Sequence, residues 1–220
     1  MQKKQEALQL GIHYRRKHES ESVRQQIVEV ALELFLTQGY ESVSMRKIAQ
    51  HIQYSPTTIY NYFQDKQDVL FHLLKRGYGI FLDALLANTQ AYANEPFLVQ
   101  FRTTLHAYIR FGREHPDYYK LIFIHNPEQF RRLIDLSDSD RMRGLQLLES
   151  HLREGMELGV LRMDDVTRAS RSVWASLHGL VHLLNSFPPF LWPEPQLVID
   201  DHVELIIRSL IAPKARQDEA

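Results

Sequence analysis

Apolar residues recur along this chain at helical intervals. Ile27, Val30, Ala31, Leu34 and Phe35 follow the i, i+3, i+4, i+7, i+8 spacing and predict an amphipathic helix. Gly39 closes it as a C-terminal cap, with Tyr40 beyond. Ser44 is placed to cap a second helix, whose apolar face is Met45, Ile48, Ala49 and Ile52. A short turn then leads to Ser55-Pro56. A capping serine before a proline is a start signal, because proline lacks an N–H that would go unpaired there. This third helix is short and ends near Phe63. Asp65 caps a longer fourth one, with Asp68 in its first turn.

Beyond about residue 76 the pattern is helical throughout. The predicted helices are roughly 66–92, 96–114, 117–125, 138–158, 165–186 and 195–211. Pro96, Pro116, Pro127 and the run from Phe187 to Pro195 punctuate them. Asp135 to Asp140 reads as a polar loop. Two-residue alternation, a βαβ pattern and an internal repeat are all missing. The fold class is therefore all-α. Residues 1–20 are polar, with a basic cluster at Arg15-Arg16-Lys17, and read as a loose arm or a frayed helical extension. Such a segment is either a solvated tail or a basic arm touching DNA phosphate or the minor groove.

Composition narrows the options. The chain has 220 residues, enough for one large domain or two small ones, and no cysteine. That excludes disulfides, thiolate zinc sites and cysteine redox sensing. No stretch approaches the roughly 18 uninterrupted apolar residues of a membrane span, and Met1 to Glu6 lead into no apolar run. A cytoplasmic location is expected. A Gly-rich phosphate loop, a G-x-S-x-G elbow and an H-E-x-x-H pair are absent, so an enzyme is not expected. Net charge is −1, but residues 1–76 hold 11 Lys and Arg against 8 Asp and Glu, and the remainder is acidic. That sign suits a DNA-binding head on an acidic body.

Three helices with a tight turn between the second and third describe a helix-turn-helix unit, whose later helix enters the major groove by its N-terminal end. Here that end is Pro56-Thr57-Thr58. Threonine hydroxyls meet base edges or phosphate, and their methyls pack on thymine. Asn61 can bond adenine bidentately, and Tyr60 and Tyr62 offer phenolic donors to phosphate. Lys66, at a helix start, adds charge beside backbone N–H groups that already favour an anion. Arg46, on the preceding helix, can reach guanine or phosphate.

These residues resemble the tetracycline-repressor (TetR) family of bacterial transcription regulators. The resemblance runs through Ile27, Ala31, Phe35, Gly39-Tyr40, Ser44-Met45, Ile48-Ala49, Ser55, Thr58-Ile59-Tyr60, Tyr62-Phe63, Lys66 and Leu70. It implies that Ser44, Arg46, Ser55, Thr57, Thr58, Tyr60, Asn61, Tyr62 and Lys66 lie against DNA. One departure stands out. The family has glycine and a small aliphatic residue in the turn, where this chain has Gln53-Tyr54. Gln53 must tolerate a left-handed backbone or shift the turn. Tyr54 is large for a buried turn position, and the alternative is an outward position facing DNA. The third helix also lacks Lys and Arg, which shifts base reading toward Arg46.

The resemblance divides the chain into an arm (1–20), a head (21–70) and a helical ligand-binding and dimerisation domain (71–220). It implies a homodimer whose last two long helices form a four-helix bundle across a two-fold axis. Trp174 with His178-Gly179 is similar to the Trp…His-Gly signature of one subgroup. The body is rich in aromatic and imidazole groups, and a largely apolar effector site is expected among Tyr108, Phe111, His115, Tyr119, Phe123, Trp174, His178 and His182. Plain core packing is the competing reading of each. His178 and His182 stand at i and i+4, a spacing that can ligate metal. Without a carboxylate or third histidine at motif spacing, a packed or hydrogen-bonded pair is expected, and neither metal nor cofactor. The expected partners are a near-palindromic double-stranded DNA operator and a small-molecule inducer that releases it, with no membrane. A sensorless nucleoid or segregation factor, or an activator, is the alternative.

Overall fold

The computed structural model describes residues 2–124, 138–187, 191, 192 and 194–212. Helix α1 spans Gln2–Gln38, so residues 2–20 continue it as helix rather than forming a loose tail. Gly39 ends it with φ of 79°, a left-handed value that glycine adopts without steric cost. A 3-10 turn, Tyr40–Ser42, leads to α2, Met45–His51. Helix α3 spans Pro56–Tyr60, and α4 spans Lys66–Ala91. The three serine and aspartate caps form as the sequence predicts. Ser44 accepts from the Lys47 N–H, Ser55 from Thr58 and Asp65 from Asp68.

The body continues with α5, Phe97–Glu114, and a short α6, Pro116–Tyr119. Helix α6 runs on as a wider π turn, Lys120–Ile124. Three long helices follow: α7, Asp138–Glu157; α8, Val166–Ser186; and α9, Pro195–Leu210. One expectation needs correction. Asp138–Asp140 belongs to α7 and not to a loop, while residues 135–137 lie outside the described residues, as do Pro127, 188–190 and Pro193. Helix α9 stops at Leu210 because Ile211 turns extended and forms an isolated antiparallel bridge with Leu161.

One apolar core runs from Ile27 of α1 to Ile207 of α9. Helix α4 packs on α1 at the head end and on α5 and α7 in the body. Helix α8 lies against α5 and α7, and α9 closes over α5. No helix among the described residues is long and apolar enough to cross a membrane.

Candidate nucleic-acid interface and body cavity

The recognition helix is built by its caps. The Ser55 and Thr58 hydroxyls stand 2.9 Å apart, and Ser55 also accepts from the Thr58 N–H at 3.1 Å. Both hydroxyls thus serve the helix start first. Ile59 and Phe63 are fully buried and hold the helix down. Thr57, Tyr60 and Asn61 are left exposed, Tyr60 by 55%. Arg46 is exposed on α2, beside the capping Ser44. Tyr62 is half-buried and packs against the core, so its ring is a support.

The turn answers the question its sequence poses. Gln53 takes φ of 58°, the left-handed region, and the turn keeps its geometry. The Tyr54 N–H returns to Ala49 O at 2.9 Å, and its side chain is 40% exposed. A non-glycine residue in that region costs about 1–2 kcal/mol, against about 0.5–1 kcal/mol of extra chain entropy for glycine. Gln53→Gly is therefore expected to raise stability by roughly 0.5 kcal/mol, read by urea denaturation. A loss of stability would show that the Gln53 side chain makes up the difference.

Lys66 has a second occupation that its sequence position conceals. Its Nζ donates to Tyr40 O at 2.8 Å and sits 4.0 Å from the centre of the Tyr40 ring. It ties α4 to the turn after α1. An ammonium has three donors, so this bond leaves others for a phosphate. Burial, with Glu41 and Asp65 nearby, pushes the Tyr40 hydroxyl up to about 12.

In the body, a cavity of about 350 Å³ opens between α4, α5, the π turn, α7 and α8. Of the eight residues expected there, Tyr108, Phe123 and Trp174 line it. Phe111 and Tyr119 are buried in the core behind. His115 sits at the α5–α6 junction with its ring against Phe111, and His182 is exposed. Neither lines the cavity. Sequence reasoning missed Phe81, Leu85, Leu105, Leu148 and Arg171, which do. Four of these carry only the signal of core positions.

His178 stands behind the cavity wall. The Tyr119 hydroxyl lies 2.7 Å from its Nδ1 and donates to its carbonyl O at 3.1 Å. Tyr108 receives the Trp174 indole N–H at 3.2 Å and faces the same Nδ1 at 3.4 Å. Burial holds both phenols well above their ordinary value of 10.0. Burial, then the charge of His182, pushes His178 below its ordinary 6.5. The unfolded chain therefore binds that proton more readily than the folded one. Stability is full above about pH 6.5 and is lost as pH falls through the lowered folded value. His106 is shifted the same way, chiefly by burial. His178→Gln is expected to flatten the stability slope below about pH 6.5 in denaturant titrations. An unchanged slope would assign it to other groups.

A capped recognition helix on a small head, continued by one long helix into an all-helical body, defines a helix-turn-helix regulator. The sequence profile of bacterial regulatory proteins of the tetR family matches residues 27–73. That of the tetracyclin repressor-like C-terminal domain matches residues 101–210. The chain belongs to the TetR family: it is a DNA-binding transcriptional regulator and not an enzyme. An HTH-type transcriptional regulator of Staphylococcus aureus (strain bovine RF122) is 30% identical over 129 residues, 53% of this chain and 68% of that protein. Regulators from other strains of that species match over 59 residues, 32% of their own length. Among solved structures, a tetR-family regulatory protein from Rhodococcus RHA1 superposes with a TM-score of 0.70 at 20% identity, over 86% of this chain and 97% of that one. The TetR-family regulator PfmR of Thermus thermophilus gives 0.63 at 26% identity, over 83% and 97%.

Proposed function

We propose that this protein is a ligand-released repressor that binds a near-palindromic operator as a homodimer. The head is residues 21–70 and the body 71–220. The observation that carries the reading is the course of α4. Its first turn is tied to the head through Lys66 and Tyr40, and Tyr78, Phe81 and Leu85 on the same helix line the cavity. A molecule that fits the cavity better when α4 is displaced favours mis-spaced heads. It shifts the equilibrium only by its differential affinity for the two states.

The dimer reading rests on an unpartnered face. Leu183 of α8 and Leu197 and Leu205 of α9 are exposed, Leu205 by 67%. Ala175 and Gly179 on α8 leave room for a close neighbour, since a Cβ at Gly179 would meet nothing within 4 Å. Two such helix pairs make a four-helix bundle and set the heads about one DNA turn apart. The protein acts in the cytoplasm with its operator.

In the complex, Thr57, Asn61 and Arg46 read bases. Ser44, Tyr54, Tyr60 and Lys66 contact phosphate, and Ser55, Thr58 and Tyr62 shape the helix that meets it. Arg46→Ala and Asn61→Ala are expected to change the preferred sequence at a cost of about 1–3 kcal/mol each. Tyr60→Phe is expected to weaken all sites alike. Site selection from a random DNA pool, repeated for each variant, measures this. One enriched palindrome supports a site-specific dimer, and its absence with salt-sensitive binding supports a general DNA binder. An unchanged preferred site in both base-reading variants would move readout elsewhere.

A further inference from the structure

We propose that the body cavity selects amphipathic anions, molecules with an apolar body and a single carboxylate or sulfonate that Arg171 meets at the entrance. This deepens the sensor reading above and rests on it. The cavity wall is apolar, built from side chains such as Phe81, Leu85, Leu105 and Leu148. Its size falls within the range of about 300–1,000 Å³ that holds small organic ligands. A site of that kind discriminates through its few polar groups. Here those are the side chains of Tyr78, Thr104, Tyr108, Arg171 and Trp174.

Four of the five are already engaged, the Tyr78 hydroxyl by donating to Ile122 O at 3.4 Å. The Thr104 hydroxyl donates to Gln100 O at 2.9 Å. The Tyr108 hydroxyl receives the Trp174 N–H at 3.2 Å and faces His178. Arg171 differs. Among the described residues it is the one charged residue of the lining, and it bonds a backbone carbonyl of its own helix, Thr167 O, at 3.1 Å. It forms no ion pair with any described residue. A guanidinium has five donors in a planar fork that matches a carboxylate. Most of that capacity is open.

Its position gives the ligand a direction. Of the described lining residues, Met142, Arg171 and Trp174 are exposed, and the others are buried or half-buried. These three mark the mouth. Arg171 and Trp174 stand one helical turn apart on α8 and so share a face. An apolar tail directed inward reaches Phe81 and Leu105, while a charged end stays at the mouth beside Arg171. There it keeps part of its hydration, which avoids the large cost of burying a charge. A cation of the same shape meets repulsion, and a neutral analogue forgoes the charge-assisted bond.

Calorimetric titration of the 220-residue protein tests this with three probes that share a ten-carbon chain, kept below their solubility or micelle limits: decanoate, decanol and decyltrimethylammonium. Decanoate is expected to bind about tenfold or more tighter than decanol, the advantage of one charge-assisted contact. Arg171→Gln is expected to remove most of that preference and Arg171→Lys to keep part of it. Arg171→Glu is expected to turn it toward the ammonium probe. Arg171 is exposed and outside the core, so these variants should fold, and thermal melting checks that they do. Equal affinity for decanoate and decanol, or a preference that survives Arg171→Gln, overturns the proposal and leaves the sensor reading standing. Binding of no probe also overturns it. The sensor reading falls as well only if a broad compound screen releases no operator.

Discussion

Phe63→Ala is expected to lower the stability of the head by about 3–5 kcal/mol and to abolish operator binding at 37 °C while leaving the body folded. Phe63 is 1% exposed and sits just past the recognition helix. Its ring meets the Arg24 guanidinium at 5.2 Å and the His72 ring edge-on at 5.2 Å. Arg24 and His72 also bond one another, at 2.6 Å, so the ring sits at the meeting point of α1, α3 and α4. Deleting it leaves a cavity where three helices converge. A head of about 50 residues has little core to spare, and the expected loss is of the order of its whole stability. Urea denaturation followed by circular dichroism, with DNA-binding anisotropy at 10 and 37 °C, measures both effects. Binding at undiminished affinity at 37 °C would show that α3 is held by its caps alone.

Gly112→Ala is the second large effect, and it has an internal control. A Cβ at Gly112 would stand 2.4 Å from Val181 Cγ1 and 3.0 Å from the Tyr119 ring. Neither neighbour can yield easily. Val181 is fully buried on α8, and the Tyr119 hydroxyl is bonded to His178. The methyl group must separate α5 from α8, at a cost of about 1–3 kcal/mol or more from overpacking. The helix propensity gained, about 1 kcal/mol, does not offset that. At Gly79 on α4 an added Cβ meets nothing within 4 Å. Gly79→Ala is therefore expected to stabilise by up to about 1 kcal/mol through propensity alone. Melting curves of the two variants should move in opposite directions. A shift of the same sign would show that propensity and not packing governs both positions.

Much of the head is legible in the linear sequence because its determinants are local. The serines at 44 and 55 and Asp65 each bond an N–H three residues on, and the apolar spacing of α1 and α2 marks the buried face directly. Lys66 is harder. Its bond to Tyr40 spans 26 residues, so nothing nearby in sequence distinguishes a free lysine from one already tied down. The same limit applies to Ser55 and Thr58, where the rule that predicts a cap also consumes the hydroxyls that a DNA reading would assign to bases.

The body shows where local reasoning ends. Aromatic content points to a cavity, and Tyr108, Phe123 and Trp174 do line one. It does not separate His178 from His182, which share a helical face yet end in different surroundings. His178 turns toward Tyr119, and His182 lies in solvent, because α5 and α6 cover only part of α8. Phe81, Leu85 and Leu105 read as ordinary core, since a residue beside a void and one beside a neighbour carry the same periodicity. By itself the sequence determined the helices, their caps, the DNA-facing unit and the family. The tertiary structure decided which side chains are already engaged and where five elements leave space. Those depend on contacts between residues tens of positions apart, and no spacing rule along the chain records them.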